Sequence, residues 1–275
     1  MKNLLLSAAI GDISGEPYEF EGRTKDYDKV DLLLPGNTYT DDTVCTFACA
    51  EALLHSQDGM SMHENIAKSL YSRCRADPFR GFGGRFARWL MYPEIQPPYN
   101  SFGNGSAMRV SAAGFMAENR SMCVELATLT AMPTHNHPEG KKGAVATALA
   151  IFHAMQGEDK DFIRENVLDR FYPDWSDLRY SDIKPSYDFN ETCQQTVPAA
   201  LICFLESKDY ADCLKLAIAL GGDADTLAAI AGPIAYAFYR EMPEELVENA
   251  KAKLPEWMME LNDEFDAFVN GKRNA

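Results

Sequence analysis

A chain of 275 residues, 46% of them hydrophobic, is long enough to bury a substantial core as one large domain or two small ones. Its 41 acidic residues against 26 basic leave a net charge of −15 with no Lys/Arg block, which argues against nonspecific nucleic-acid binding. Any anionic substrate must then be held by a local device, such as a metal ion or the start of a helix. Seven cysteines in no paired spacing fit a reducing compartment, and no run reaches transmembrane length, so a cytoplasmic, monomeric protein is expected.

The apolar run Met1 to Ile10 reads as a first core helix rather than a signal segment, because Gly11-Asp12 interrupts it and no cleavage-type site follows. Gly11, Gly15 and Pro17 predict a turn or broken helix through Phe20, and Val30 to Asn37 a loop with room for a short strand. Tyr39-Thr40-Asp41-Asp42-Thr43 stands immediately before an apolar helix that runs to about His55. Neighbours on a helix diverge by about 100°, so Asp41 and Asp42 can face one point only from its start, where Thr40 adds a hydroxyl. Cys45 and Cys49, one turn apart, have no nearby partners for zinc and are assigned to the core.

Ser61 to Arg75 predicts an amphipathic helix, and the glycine-rich Arg80 to Arg85 a connecting turn that could also cradle an anion. After Pro97-Pro98, the run Gly103-Asn104-Gly105-Ser106-Ala107-Met108-Arg109 leads small residues into a helix carrying Val110 and Phe115. Its first amides suit a phosphate, but close helix packing explains the small residues equally well. A helix from about Ser121 ends before Pro133. His135 and His137 are better suited to a polar contact with substrate than to metal ligation. Helices follow over Lys142 to Met155 and Asp161 to Phe171. Tyr172 to Asn190 is a polar, aromatic-bearing loop long enough to be a lid, and Thr196 is expected to cap a helix with Pro198 in its first turn.

Gly221-Gly222-Asp223-Ala224-Asp225-Thr226 lies between a helix over Asp209 to Leu220 and a nearly wholly apolar one over Thr226 to Tyr239. Inside one helix Asp223 and Asp225 would diverge by about 200°, whereas in an extended approach their carboxylates and the Thr226 hydroxyl can converge. Ordinary N-capping is the alternative at both acidic clusters. Yet two clusters with the same all-oxygen inventory open apolar helices, and four carboxylates brought together would repel unless cations sat between them. A shared site for one or two hard cations, Mg²⁺ or Mn²⁺, is predicted. Two last helices reach about Phe268, and the Gly271 to Ala275 tail is expected to fray. Strand signals are nearly absent. The expectation is an all-α fold, a single compact orthogonal multi-helix domain over residues 1–275 with a central metal site.

Five motifs in order carry a resemblance. Gly11-Asp12-x-x-Gly15-x-x-Tyr18-Glu19, Thr40-Asp41-Asp42-Thr43, Gly103 to Arg109, Thr134-His135-Asn136-His137-Pro138-Glu139-Gly140 and Gly221-Gly222-Asp223-x-Asp225-Thr226 resemble the ADP-ribosylglycohydrolase family, from about Leu4 to Tyr239. The resemblance implies an all-α hydrolase built around two divalent cations, Mg²⁺ or Mn²⁺, that releases ADP-ribose from a modified protein side chain or small molecule. By position, the metal ligands it implies are Thr40, Asp41, Asp42, Asp223, Asp225 and Thr226. Glu19 matches a flap glutamate near the metals and the scissile bond. The diphosphate turn matches Gly103, Asn104, Gly105, Ser106, Ala107, Met108 and Arg109, and His135 matches a residue contacting ADP-ribose. Glycosidic cleavage passes through an oxocarbenium-like state, and Glu19 or Asp42 could take the proton of the attacking water. Ala224 stands where the family often has Ser, at a position not needed for ligation. The competing expectations are a non-catalytic ADP-ribose-binding protein of the same fold, which should have lost ligands, and a two-metal nucleotide phosphohydrolase, which would cut a P–O bond instead.

Overall fold

Residues 1–20, 24–56 and 59–273 are described by the computed structural model, and among them there are helices and loops but no strand. The nearest thing to sheet is one antiparallel bridge between Gly103 and Thr192. Val30 to Asn37 is loop throughout, without a short strand.

Helix α1 (Leu6–Gly15) starts later than expected and runs straight through Gly11-Asp12. Its glycines do not break it, because they lie against another helix. A Cβ on Gly15 would stand 2.5 Å from the Cα of Asp225, and one on Gly232 of that facing helix 2.6 Å from the carbonyl oxygen of Ser7. The glycines are there for close approach, and the tight packing outweighs their unfavourable helix propensity. A 3₁₀ turn, Glu16–Tyr18, then ends at a buried Tyr18 whose hydroxyl accepts from Asp31 N (2.8 Å).

Next come α2 (Asp41–His55), α3 (Gly59–Ala76) and α4 (Gly84–Met91). The expected helix after Gly103 is broken into α5 (Gly105–Met108) and α6 (Ser111–Met116), with α7 (Arg120–Ala131) behind them. Helix α8 (Pro138–Gln156) begins four residues before the expected start: His137 caps it by accepting from Glu139 N (3.1 Å), and Pro138 occupies the first position, where no amide is needed. The chain then passes from α9 (Lys160–Ile163) through a π turn (Arg164–Leu168) into α10 (Asp169–Phe171), and on to α11 (Tyr180–Ile183) within the expected lid. Helix α12 (Cys193–Glu206) also starts early, so Thr196 is not its cap and Pro198 lies inside it.

Helix α13 (Tyr210–Leu220) leads into α14 (Ala224–Tyr239), which is buried from Ala224 through Ala237. Helices α1, α8, α12 and α13 all pack on it, the position expected of a helix that is apolar on every side. Last come α15 (Glu244–Lys251) and α16 (Glu256–Arg273), the latter five residues longer than expected. Asp266 of α16 accepts from Leu4 N (3.0 Å) and from Asn3 N, tying the chain's first residues to its last helix. The end of the tail, residues 274–275, lies outside the described residues. Among those described, no helix is long and apolar enough to cross a membrane.

Candidate active site

The site begins with a buried carboxylate on α1. Asp12 accepts from Thr40 N (2.9 Å), Thr40 Oγ1 (2.8 Å) and Thr43 N (3.0 Å), and also from Thr43 Oγ1. It thereby takes over much of the capping of α2, whose N-cap is Thr40. Asp41 and Asp42, in the first turn of α2, are released from that task and line the cavity beside it. Sequence reasoning gives Asp12 no role of its own, because Gly11-Asp12 looks like a turn. Its helical setting is what turns it toward α2.

The second half of the site is the start of α14. Gly221 and Gly222 adopt φ of +86° and +83°, a conformation that favours glycine, and deliver the chain to Asp223. Asp223 occupies the N-cap position yet makes no side-chain capping bond, while Asp225 accepts from the neighbouring Thr226 N (2.9 Å). The expected extended approach is therefore corrected: Asp225 and Thr226 belong to the first turn of α14, as Asp41 and Asp42 belong to that of α2. Convergence arises because the two helix starts meet. Thr226 Oγ1 donates to Asp42 Oδ2 (3.2 Å) across 184 residues of sequence. Asp223, Asp225 and Glu19 each bring a carboxylate oxygen within 4.8 Å of the others.

Electrostatics at this junction are unfavourable for anions. Burial, followed by repulsion from neighbouring carboxylates, pushes Asp41, Asp42 and Asp225 well above the ordinary aspartate range. Burial, with Asp223 and Asp12 next in weight, pushes Glu19 up to about 8. Asp12 rises to about 6, burial outweighing the bonds from Thr43 and Thr40 that oppose it. Asp42, 3% exposed, keeps one oxygen, Oδ1, without a hydrogen-bond partner among the described residues. An orphaned buried carboxylate oxygen among other carboxylates is an expensive arrangement unless a cation completes it. The donors are oxygens throughout: carboxylates of Asp41, Asp42, Asp223, Asp225 and Glu19, and hydroxyls of Thr40 and Thr226. They fit a hard divalent cation.

Above the junction opens a cavity of about 340 Å³. Of the expected diphosphate turn, Gly103, Asn104, Gly105, Met108 and Arg109 line it, and so does His135. Ser106 and Ala107 do not: both are buried behind the wall, where Ser106 Oγ donates to Gly140 O (2.7 Å). Gly103 N donates to Ser101 Oγ (3.1 Å) and Asn104 N to Glu191 O (2.8 Å), so those two amides are already engaged. Arg109 is buried and donates to Thr130 O (2.9 Å) and Thr134 Oγ1 (2.8 Å), anchoring the end of α7. The Thr134 hydroxyl, which accepts from Arg109, also hydrogen-bonds His135 Nδ1 (2.7 Å). Burial, with Arg109 next in weight, holds His135 well below the usual histidine range. The neutral ring turns Nε2 toward the Gly103–Gly105 turn. His137 caps α8 and stays outside the cavity wall. Gly81, Gly83, Gly84 and Arg85 do line the cavity, so the glycine-rich segment is more than a connection.

The family model described as ADP-ribosylglycohydrolase matches residues 1–274. The chain is 26% identical over 317 residues to ADP-ribosylhydrolase ARH3 of Homo sapiens, covering 86% of this chain and 85% of that protein. It is 27% identical over 304 residues to ADP-ribosylarginine hydrolase Tri1 of Pseudomonas putida, covering 99% of this chain and 82% of the other. A solved structure titled ADP-ribosylglycohydrolase-related protein complex shares the fold with a TM-score of 0.75 at 23% identity, over 98% of this chain and 96% of that one. A match that runs from the first residue to the last but one takes in both helix starts and the cavity between them, and the chain belongs to the ADP-ribosylglycohydrolase family.

Proposed function

We propose that the protein hydrolyses the glycosidic bond between ADP-ribose and a protein side chain or small molecule, releasing ADP-ribose and so reversing the modification. The observation that carries this is the meeting of the two helix starts at Thr226 and Asp42, with Asp42 Oδ1 left for a cation. Thr40, Asp41, Asp42, Asp223, Asp225 and Thr226 would hold one or two divalent cations there, Mg²⁺ or Mn²⁺. When bound, such cations supply Lewis acidity for the ribose hydroxyls and lower the pKa of a water.

The protein's own groups do the rest. Gly105, at the start of α5 and on the cavity wall, receives the diphosphate, a local device needed in a chain of net charge −15. His135, whose Nε2 lies against the Gly103–Gly105 turn, contacts the same substrate from the cavity wall. Glu19 or Asp42 accepts the proton of the attacking water as the glycosidic bond breaks through its oxocarbenium-like state. Both carboxyls border the cavity where that water must stand.

Product analysis tests the reading over arginine-, serine- and nucleobase-linked ADP-ribose with Mg²⁺ or Mn²⁺ present. Free ADP-ribose from at least one of them is the expected outcome. AMP or inorganic phosphate instead would make the protein a two-metal phosphohydrolase. Binding of ADP-ribose without any product would make it a binding protein that keeps the fold.

A further inference from the structure

Asp223 is the carboxylate of the cluster least secured by its own helix. Two glycines at positive φ deliver it, and no backbone amide of α14 takes its side chain as a cap. Its carboxylate is instead held from outside. Asn104 Nδ2 donates to Asp223 Oδ2 at 2.7 Å and to Thr196 Oγ1 at 3.2 Å. Thr196 Oγ1 itself donates to Asn190 O (3.0 Å), so it must accept from Asn104. That settles which way the amide faces: its nitrogen, not its oxygen, points at Asp223. The opposite flip would set an amide oxygen against a carboxylate and leave Thr196 without a donor.

Asn104 is itself immobilised. It is 7% exposed, its backbone N donates to Glu191 O (2.8 Å), and its carbonyl accepts from Ala107 N (2.8 Å) and Met108 N (3.0 Å). Both protons of its side-chain amide are engaged within the protein, which leaves neither for a substrate phosphate.

We propose that Asn104 is a positioning residue for Asp223, and through it for the cation the cluster holds, rather than a contact to substrate. The proposal rests on the reading of the cluster as a cation site. A donor on Oδ2 fixes the rotation of the carboxylate and leaves Oδ1 for the cation. Thr196 and Asn190 form the outer part of the same relay, so α12 and the Gly103–Gly105 turn both bear on one metal ligand.

The test is Mn²⁺ titration of the full chain without substrate, by calorimetry, on wild type, Asn104→Ala and Thr196→Val. Losing an outer partner of a ligand typically weakens metal binding by about 10- to 100-fold, and that loss is expected for Asn104→Ala. Thr196→Val keeps the Asn104–Asp223 bond and removes only its support, so a loss of several-fold is expected. In EDTA, binding of ADP-ribose to Asn104→Ala should match wild type, a readout that general structural damage would not leave intact. If Asn104→Ala binds Mn²⁺ like wild type while ADP-ribose binding in EDTA falls, Asn104 is a substrate contact and the proposal is overturned. If Asn104→Ala does not fold, Thr196→Val decides alone, and unchanged Mn²⁺ affinity there overturns it. If wild type binds no Mn²⁺, the cation reading fails and the proposal with it.

Discussion

Glu19 comes directly after a 3₁₀ turn, and its carboxylate reaches the same small volume as those of Asp223 and Asp225. The Gly- and Pro-rich sequence before it predicts an easily moved segment. Just before Glu19, the Tyr18 hydroxyl donates to Asp31 O (3.1 Å) and accepts from Asp31 N (2.8 Å). Asp223 and Asp225 by contrast stand on a buried helix, and Asn104 holds the first of them. Glu19→Gln keeps the shape and removes the base, so turnover is expected to fall by about 10²-fold or more. Mn²⁺ affinity should change less than in Asp223→Asn, which removes a proposed ligand anchored in place. Measuring turnover and Mn²⁺ affinity on both variants separates the two roles. Near-normal turnover of Glu19→Gln would remove Glu19 from the mechanism.

At the scale of elements, the contact of α1 with α14 does more for the site than the identity of any loop. Gly15 lies against the backbone of Asp225, so the distance between the helix carrying Asp12 and the one carrying Asp225 depends on a missing side chain. Gly15→Ala would bring a Cβ to 2.5 Å from Asp225 Cα, against rigid backbone that cannot rotate aside. Overpacking of this kind costs about 1–3 kcal/mol, and here it also displaces Asp225, a proposed metal ligand. Both a lower melting temperature and weaker Mn²⁺ binding are expected of Gly15→Ala. Gly271→Ala, on the exposed face of α16 and away from the cavity, serves as the control, because nothing lies within 4 Å of the added carbon and its φ is ordinary. Unchanged Mn²⁺ binding in Gly15→Ala would show that the site tolerates a shift of α1. The same contact explains what the sequence conceals. Glycine in a helix reads as a breaker unless its partner helix is known, so Gly11 and Gly15 suggest a turn and Asp12 is left without a role. Cys193, likewise, starts α12 because its N–H donates to Phe102 O (3.0 Å), a partner far away in sequence. What is legible is local chemistry: apolar periodicity, the glycine stop after Leu220, and two oxygen-rich sets opening apolar helices. Which face each set turns, and that Ser106 and Ala107 face away from the cavity, depends on packing that no short window contains.

For the whole molecule, the site is a concentration of negative charge inside a chain already at −15. Folding gathers Asp12, Asp42, Asp223 and Asp225 into the interior, each at most 5% exposed, so their mutual repulsion is an internal strain that the unfolded chain does not feel. A cation that binds only the folded chain relieves it and adds stability of RT ln(1 + [L]/Kd), about 2.7 kcal/mol at a hundredfold excess over Kd. For a chain of this length that corresponds to a rise in melting temperature of roughly 5 °C. EDTA-treated protein should therefore melt lower, and millimolar Mg²⁺ or Mn²⁺ should restore the higher value. NaCl at matched ionic strength is the necessary control, because salt screens the acidic surface over about 8 Å at physiological strength but reaches buried pairs much less. The divalent rise should exceed the sodium rise clearly, and the excess should shrink in Asp223→Asn, which lacks one of the charges being relieved. An equal rise with both salts, or an undiminished divalent rise in Asp223→Asn, would mean that the stabilisation comes from the surface and that the helix junction does not select a divalent ion.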